Sequence, residues 1–450
     1  MPDEQTSEGH RRAAGVPARP EQEILRLAVP AFLALVAEPV FLLADAAIVG
    51  HLGTAQLAGL GIAGAVVQTA VGLCVFLAYG TTASVARRLG AGDPRGALAQ
   101  GVDGLWLAVL IGGVTTVAGI VLTGPLVDLF QGAPAATGYA TTYLRWAFLG
   151  VVPLLLMMAS TGVLRGLQDT RVPLMVAVAG NLANVALNVL LVYGMGWGIA
   201  GSAVGTVLAQ LCSAVALVGV VVRQARRTGA SLRPDLPGVR RAAHAGVALV
   251  VRTLTLRAAL LLATYGSAAL GVTATATHQV AMTLWNFLAF ALDALAIAAQ
   301  ALTGRALGAG DVEGTRTLTA LMVRWGAGAG VLGGVLLAAA APFLGALFTT
   351  DPHVRRLLVP VLLVAALFQP VAGVVFVLDG VLIGAGDGRY LAWGGVAVLV
   401  VFAPLAWLAV AGPASLPWLW AAFGVGFIGA RAVVLLLRAR TDLWLVTGTR

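Results

Sequence analysis

The chain contains no lysine and only two cysteines, and charged residues fill just 10% of its 450 positions. Each scarcity excludes something. A soluble domain carries about 25% charged residues, so this composition does not suit one. Cys74 and Cys212 both fall inside apolar runs, where they read as small packing residues rather than a disulfide or a metal pair. His51, His244, His278 and His353 lie near the ends of apolar runs without clustering, and neither HExxH nor GxSxG occurs. An intramembrane hydrolase would therefore lack its working residues.

What is present is apolar: 59% of the residues, at a mean hydropathy of +0.94. A bilayer's hydrocarbon core is roughly 30 Å thick and takes about 20 mainly apolar residues per helical crossing. Twelve runs meet that requirement, at about 27–49, 57–86, 97–122, 141–163, 172–194, 198–222, 245–269, 274–303, 318–348, 357–384, 390–411 and 416–437. The sequence thus predicts an all-α integral membrane protein with twelve transmembrane helices.

The net charge of +9 comes from 28 arginines. With a cytoplasmic N-terminus, 21 of them fall in the N-terminal tail, the even-numbered connections and the C-terminus, while Arg145, Arg355 and Arg356 fall near the opposite side. The positive-inside rule then places both termini in the cytoplasm of a protein of the inner (plasma) membrane. This charge reports topology and does not call for nucleic acid. Residues 1–23 are polar and lack an apolar core, so they read as a flexible cytoplasmic tail and not a cleaved signal peptide.

The pentapeptide LGAGD is written twice, at Leu89–Asp93 and Leu307–Asp311, 218 positions apart. The same displacement carries Leu52-Gly53 onto Leu270-Gly271, and Gly162, Gly166, Asp169 and Arg171 onto Gly380, Gly384, Asp387 and Arg389. One register held across three equivalent connections points to a six-helix unit used twice. Six crossings return the chain to the starting side, so the lobes are expected to be related by a pseudo-two-fold axis along the membrane normal. The expected division is a tail at 1–23, an N-lobe at 24–222, a basic cytoplasmic linker at 223–244, a C-lobe at 245–440 and a C-terminal tail at 441–450. LGAGD itself reads as a turn whose Asp caps the next helix; a phosphate loop would need a preceding strand.

Ionisable residues inside a bilayer are costly unless paired or hydrated, which marks them for function. Glu38 and Asp45 in the first helix are seven residues apart, about 10 Å along one face, and Pro39 beside Glu38 removes a backbone hydrogen bond. In helix 5, Asn181, Asn184 and Asn188 gather on one face, and Thr206 and Gln210 in helix 6 are spaced to meet them. Such amides also serve as plain helix–helix glue. Helix 8 repeats Gln279, Asn286, Asp293 and Gln300 every seven residues, a polar line expected to face a wet cavity between the lobes. Met157 and Met158, with Trp285 and Phe287, are candidates for an adaptable apolar lining, or for ordinary packing. Asp293 and Asp379 have Arg252 and Arg257 as prospective ion-pair partners, which favours a structural role for them and leaves Asp45 with Glu38 as the mobile-proton pair.

The set EPVFLLADAAIVGHLG, RRLGAGD, LRGLQDTRVP, GNLANVALNVLLVYGMGWGIAGSAVGTVLAQ and AIAAQALTGRALGAGD, in that order, resembles the multidrug and toxic compound extrusion (MATE) family and is most similar to its DinF-like, DNA-damage-inducible subfamily. The resemblance runs from about residue 24 to 440. It implies two six-helix lobes forming a V, alternating access, and export of organic, cationic or amphipathic compounds in exchange for protons or Na+. It also implies that Asp45, Asn184 and Thr206 belong to the N-lobe coupling site, with Asp45 and Asn184 as the place for Na+ if that ion is used. Asn188 stands where many relatives carry Asp, which removes one negative charge and argues against a Na+ mode that needs two carboxylates.

The expected function is proton-coupled multidrug efflux by a monomer, with a small-molecule substrate, surrounding lipid and no cofactor beyond the coupling ion. Asn181, Gln210, Gln279, Asn286, Asp293, Asp379 and Met157 are the candidate substrate-cavity residues. A flippase for lipid-linked precursors is the nearest rival, but it would want a strongly basic cavity where this chain has Asp45, Glu38, Asp293 and Asp379 against Arg252 and Arg257. A channel would need a pore-lining ring, which a duplicated single chain does not suggest.

Overall fold

A computed structural model describes residues 19–130 and 134–449; residues 1–18 of the expected N-terminal tail lie outside them. Among the described residues, twelve helices are long and apolar enough to cross a membrane. They are α1 (Pro20–Gly50), α2 (Thr54–Gly90), α3 (Pro94–Val121), α4 (Pro134–Gly166), α5 (Arg171–Gly194), α6 (Gly198–Thr228), α7 (Leu236–Ala269), α8 (Val272–Gly308), α9 (Val312–Phe348), α10 (Pro352–Gly384), α11 (Gly388–Ala411) and α12 (Leu416–Ala439). Helix α1 starts earlier than the apolar run alone suggests. Pro20 opens it, and Glu21 and Glu23 in its first turn suit the positive end of the helix dipole.

The chain packs as two compact units. One is Val29–Gly246, holding α1 from Val29 onward through α6; the other is Val247–Arg450 together with the described residues ahead of Val29. The turns inside them repeat at the displacement the sequence shows. Left-handed backbone occurs at Gly53, Gly92, Gln168 and Gly196, and again at Gly271, Gly310, Gly386 and Ala414, each 218 residues on. Asp93 caps α3 by accepting from the Gly96 amide at 2.7 Å, and Asp311 caps α9 by accepting from Gly314 at 2.8 Å. LGAGD is thus a helix stop, a left-handed glycine and the next helix's cap, used once in each unit.

Close helix contacts repeat as well. In lipid, helices associate through tight van der Waals packing and not by escaping water, so small residues let backbones approach. A Cβ on Gly162 of α4 would sit 2.6 Å from the Ala78 carbonyl of α2, and one on Gly166 would sit 2.7 Å from Val85. Their counterparts Gly380 and Gly384 in α10 press in the same way on the Ala296 and Gln300 carbonyls of α8.

Two segments outside the expected lobes, the linker and the C-terminal tail, are docked. Most of the basic stretch 223–244 is helical, continuing α6 or opening α7, and the short piece between is tied to α3. Asp103 accepts from the Asp235 amide at 3.0 Å, and the Trp106 indole donates to the Leu232 carbonyl at 3.2 Å. The C-terminal residues fold back within their own unit: Trp444 is 2% exposed, Arg316 donates to Asp442 at 2.6 Å, and the Gly448 amide reaches the Leu307 carbonyl.

Candidate functional site

The Val29–Gly246 unit gathers polar side chains from four helices around Asp45. Close approach of α6 to α5 makes this possible. Gly201 and Gly205 are four apart on one face of α6; a Cβ on Gly201 would lie 2.8 Å from the Leu191 backbone, and one on Gly205 would collide with the Asn188 amide oxygen. Just past Asn188, α5 widens into a π-helical turn at Leu190–Gly194, a device that recurs at functional sites.

Asp45 Oδ1 accepts two hydrogen bonds, from Asn188 Nδ2 at 2.8 Å and from Ser202 Oγ at 2.7 Å. One turn along each helix, Asn184 Nδ2 donates to Thr206 Oγ1 at 3.1 Å. Tyr143 of α4 brings its hydroxyl beside Ser202, Thr206 and Asp45. Asp45 and Asn184 are each 4% exposed and Asn188 is fully enclosed. No ion pair reaches Asp45 among the described residues, so its carboxylate is steadied by neutral donors alone. The amide oxygens of Asn184 and Asn188 have no donor. An acid so placed can hold its charge through two hydrogen bonds or give it up to a proton without breaking a salt bridge.

The remaining candidates are spread wider. Asn181 donates to the Ala37 carbonyl of α1 at 3.2 Å, and Gln210 lays its amide oxygen against Gly150 of α4. Glu38 is exposed, and Met157 is half-buried. In the other unit, Gln279 and Asn286 are exposed, Asp293 is half-buried and Gln300 is buried, the last two with partners of their own. Trp285 packs edge-on against Trp420 and Phe423, in a buried aromatic core. Asp379 is ion-paired with Arg252, while Arg257 is exposed, and a second guanidinium, Arg431 of α12, approaches Asp379 at 3.5 Å.

Ser202, Tyr143 and Arg431 are the residues that sequence reasoning passed over. Ser202 was within reach, since it lies four residues before Thr206 and so on the same helical face. Arg431 is the arginine within the final apolar run, a signal of the same kind as Arg252 in the seventh. The 218-residue displacement also shows that the two polar clusters are not copies. Asp45, Asn184, Asn188, Ser202 and Thr206 map onto Ala263, Phe402, Ala406, Trp420 and Gly424, whereas Arg252, Asp379 and Arg431 map back onto Ala34, Thr161 and Ser213.

The MatE family model matches residues 30–190 and again residues 248–408, two matches set apart by the same 218 residues. The chain is similar to Protein DETOXIFICATION 44, chloroplastic, of Arabidopsis thaliana, with 31% identity over 87% of this chain and 77% of that protein. It is also similar to DNA damage-inducible protein F of Escherichia coli (strain K12), with 28% identity over 81% of each. A crystal structure of MATE in the bent conformation matches the fold with a TM-score of 0.87 at 22% identity, over 94% of this chain and 95% of that one. The chain belongs to the MatE family: it is a multi-pass membrane transporter of the multidrug and toxic-compound efflux class, and not an enzyme.

Proposed function

We propose that this transporter exports organic cations or amphipathic compounds across the plasma membrane in exchange for protons, with Asp45 as the group that gains and loses the proton. The observation that carries this reading is the carboxylate of Asp45, buried yet held only by Asn188 and Ser202. Ionised, it satisfies both donors and attracts a cationic substrate; protonated, it gives up that attraction. Substrate and proton then compete for one charge. Coupling is a difference in affinity between two states of the transporter, and requires nothing more. Glu38, two turns away on α1, is the proposed relay to solvent, with Asn181, Gln210 and Met157 nearer the substrate. Gln279, Asn286 and Asp293 are the proposed substrate contacts of the second unit; Asp379, held between two guanidiniums, leaves that set. The arginine distribution supports cytoplasmic termini.

A second reading, Na+ as the coupling ion, draws support from the amide oxygens of Asn184 and Asn188, which lack donors, and from the contact of Asn188 with Asp45. Oxygen ligands suit a hard cation. The presence of a single carboxylate in the cluster favours the proton. Transport of a fluorescent organic cation in proteoliposomes, under separately imposed proton and Na+ gradients, decides between them. Proton-driven export that is lost in Asp45→Asn supports the proposal; export by Asp45→Asn equal to the parent under both gradients ends it.

A further inference from the structure

Helix α5 donates hydrogen bonds to α1 at successive points along its length. Asn181 donates to the Ala37 carbonyl at 3.2 Å, Asn188 to Asp45 at 2.8 Å, and the Tyr193 hydroxyl to the Ile48 carbonyl at 2.5 Å. The step from Asn181 to Asn188 is close to two turns, which keeps one face of the helix. The step from Asn188 to Tyr193 is five residues, and in an unbroken α-helix it would swing the tyrosine about 140° away. Here α5 leaves α-helical geometry: Leu190–Gly194 is a π-helical turn, closed by the Met195 amide on the Leu190 carbonyl at 2.9 Å. Bonding from i to i+5 widens the turn and carries Tyr193 back toward the face that bears Asn188.

The carbonyl that Tyr193 meets is one that α1 does not serve itself. The Leu52 amide, four residues on, turns to the Val49 carbonyl at 3.0 Å instead. The last carbonyls of a helix need donors from outside it, and more so in lipid. Ile48 is three residues past Asp45, less than one turn, so the hydroxyl fixes the stretch of α1 that carries the carboxylate. Tyr193 is 47% exposed, so its ring adds little to a packed core. The second repeat shows that the fold does not require this arrangement. At the 218-residue displacement Asp45, Asn188 and Tyr193 become Ala263, Ala406 and Ala411, and Ile48 becomes Gly266. The equivalent helix, α11, is α-helical from Gly388 to Ala411. The unit that lacks the acid therefore lacks the tyrosine and the widened turn at that place as well.

We propose that Tyr193 is a positioning residue for Asp45, brought to α1 by the π-helical turn of α5. Its hydroxyl holds the last turn of α1 in register with α5, so that the carboxylate stays opposite the Asn188 amide. It touches neither the proton nor the substrate and acts through the Asn188–Asp45 hydrogen bond. This rests on the reading of Asp45 as the group that couples export to protons.

The test is a double-mutant cycle on the full-length protein in proteoliposomes, read as the initial rate of proton-driven export of a fluorescent organic cation. Tyr193→Phe removes the hydroxyl alone and should slow export about two- to tenfold, the worth of one neutral hydrogen bond. Asn188→Ala should slow it as well, and Tyr193→Phe added to Asn188→Ala should cost nothing further, because the contact it protects is already gone. A parent-like rate in Tyr193→Phe overturns the proposal. So does a loss that adds in full to that of Asn188→Ala, the mark of a tyrosine that only supports the fold. Should Asn188→Ala be too slow for a further loss to be resolved, the same cycle is read on the affinity of the purified protein for the fluorescent cation, with the same two outcomes. Asp45→Asn in the same vesicles separates the two levels of the reading. If it exports like the parent, coupling at Asp45 fails; if it is inactive while Tyr193→Phe is parent-like, only the role of Tyr193 fails.

Discussion

Asp45 and Asn188 stand 143 residues apart in the chain and 2.8 Å apart in space, with the amide nitrogen donating to the carboxylate. An acid at position 188 would put two carboxylates at hydrogen-bonding distance, where like charge demands a shared proton or a bound cation. The amide removes that demand and leaves one carboxylate served by neutral donors.

Asn188→Asp is therefore expected to create a Na+ response. Uptake into proteoliposomes at constant proton gradient should rise when Na+ is added for this variant and stay flat for the parent. A variant as indifferent to Na+ as its parent would show that the second carboxylate does not control ion choice.

Ser202 gives the second hydrogen bond to Asp45, at 2.7 Å. A hydrogen bond to a charged group contributes about 1.5–3 kcal/mol, so Ser202→Ala should slow proton-driven export by roughly tenfold or more. Thr206→Ala breaks a neutral contact with Asn184 and leaves both donors to Asp45 in place, so it should cost less, about 0.5–1.5 kcal/mol. Initial transport rates at saturating substrate rank the two; Thr206→Ala proving the more harmful would shift the centre of the site toward Asn184.

Gly205→Ala tests how the site is assembled. The added methyl would collide with the Asn188 amide oxygen and crowd the Asn188 backbone nitrogen, 3.2 Å away. Overpacking of this kind costs about 1–3 kcal/mol. The larger loss should be in transport, because displacement of Asn188 uncouples it from Asp45. Paired measurements of unfolding midpoint and transport rate check this; unchanged transport would mean that α5 and α6 can part without consequence.

The sequence carried the frame of this protein openly. Twelve apolar runs, the arginine asymmetry and the displaced LGAGD turns each follow from physics that operates locally, and Asp45, Asn184, Asn188 and Thr206 stood out as polar residues in apolar surroundings. Less visible was which of them meet. Ser202 and Tyr143 are unremarkable in an apolar helix until α4 and α6 pack beside α1. Glu38 looked like the twin of Asp45 by helical spacing, yet it is exposed, because a seven-residue step fixes a face and says nothing about what packs there. Arg431 was hidden for the opposite reason: its partner Asp379 lies on another helix, and only the packing of α10 against α12 brings the two together.

The duplicated turns allow a quantitative check of the two-unit architecture. Asp93 and Asp311 occupy equivalent caps, each accepting from the amide three residues on. Replacing a capping Asp by Ala costs about 0.5–2 kcal/mol. Asp93 also contacts Arg88 at 3.2 Å, but both side chains are partly exposed, so that pair adds little. The two substitutions lie in different compact units and share no partner, so their effects on stability should add to within about 0.3–0.5 kcal/mol. Chemical denaturation of Asp93→Ala, Asp311→Ala and the double variant measures this directly. Similar single costs that sum in the double variant are expected of two copies of one structural device. A double variant far less stable than the sum would show that the caps communicate and that the units do not fold independently.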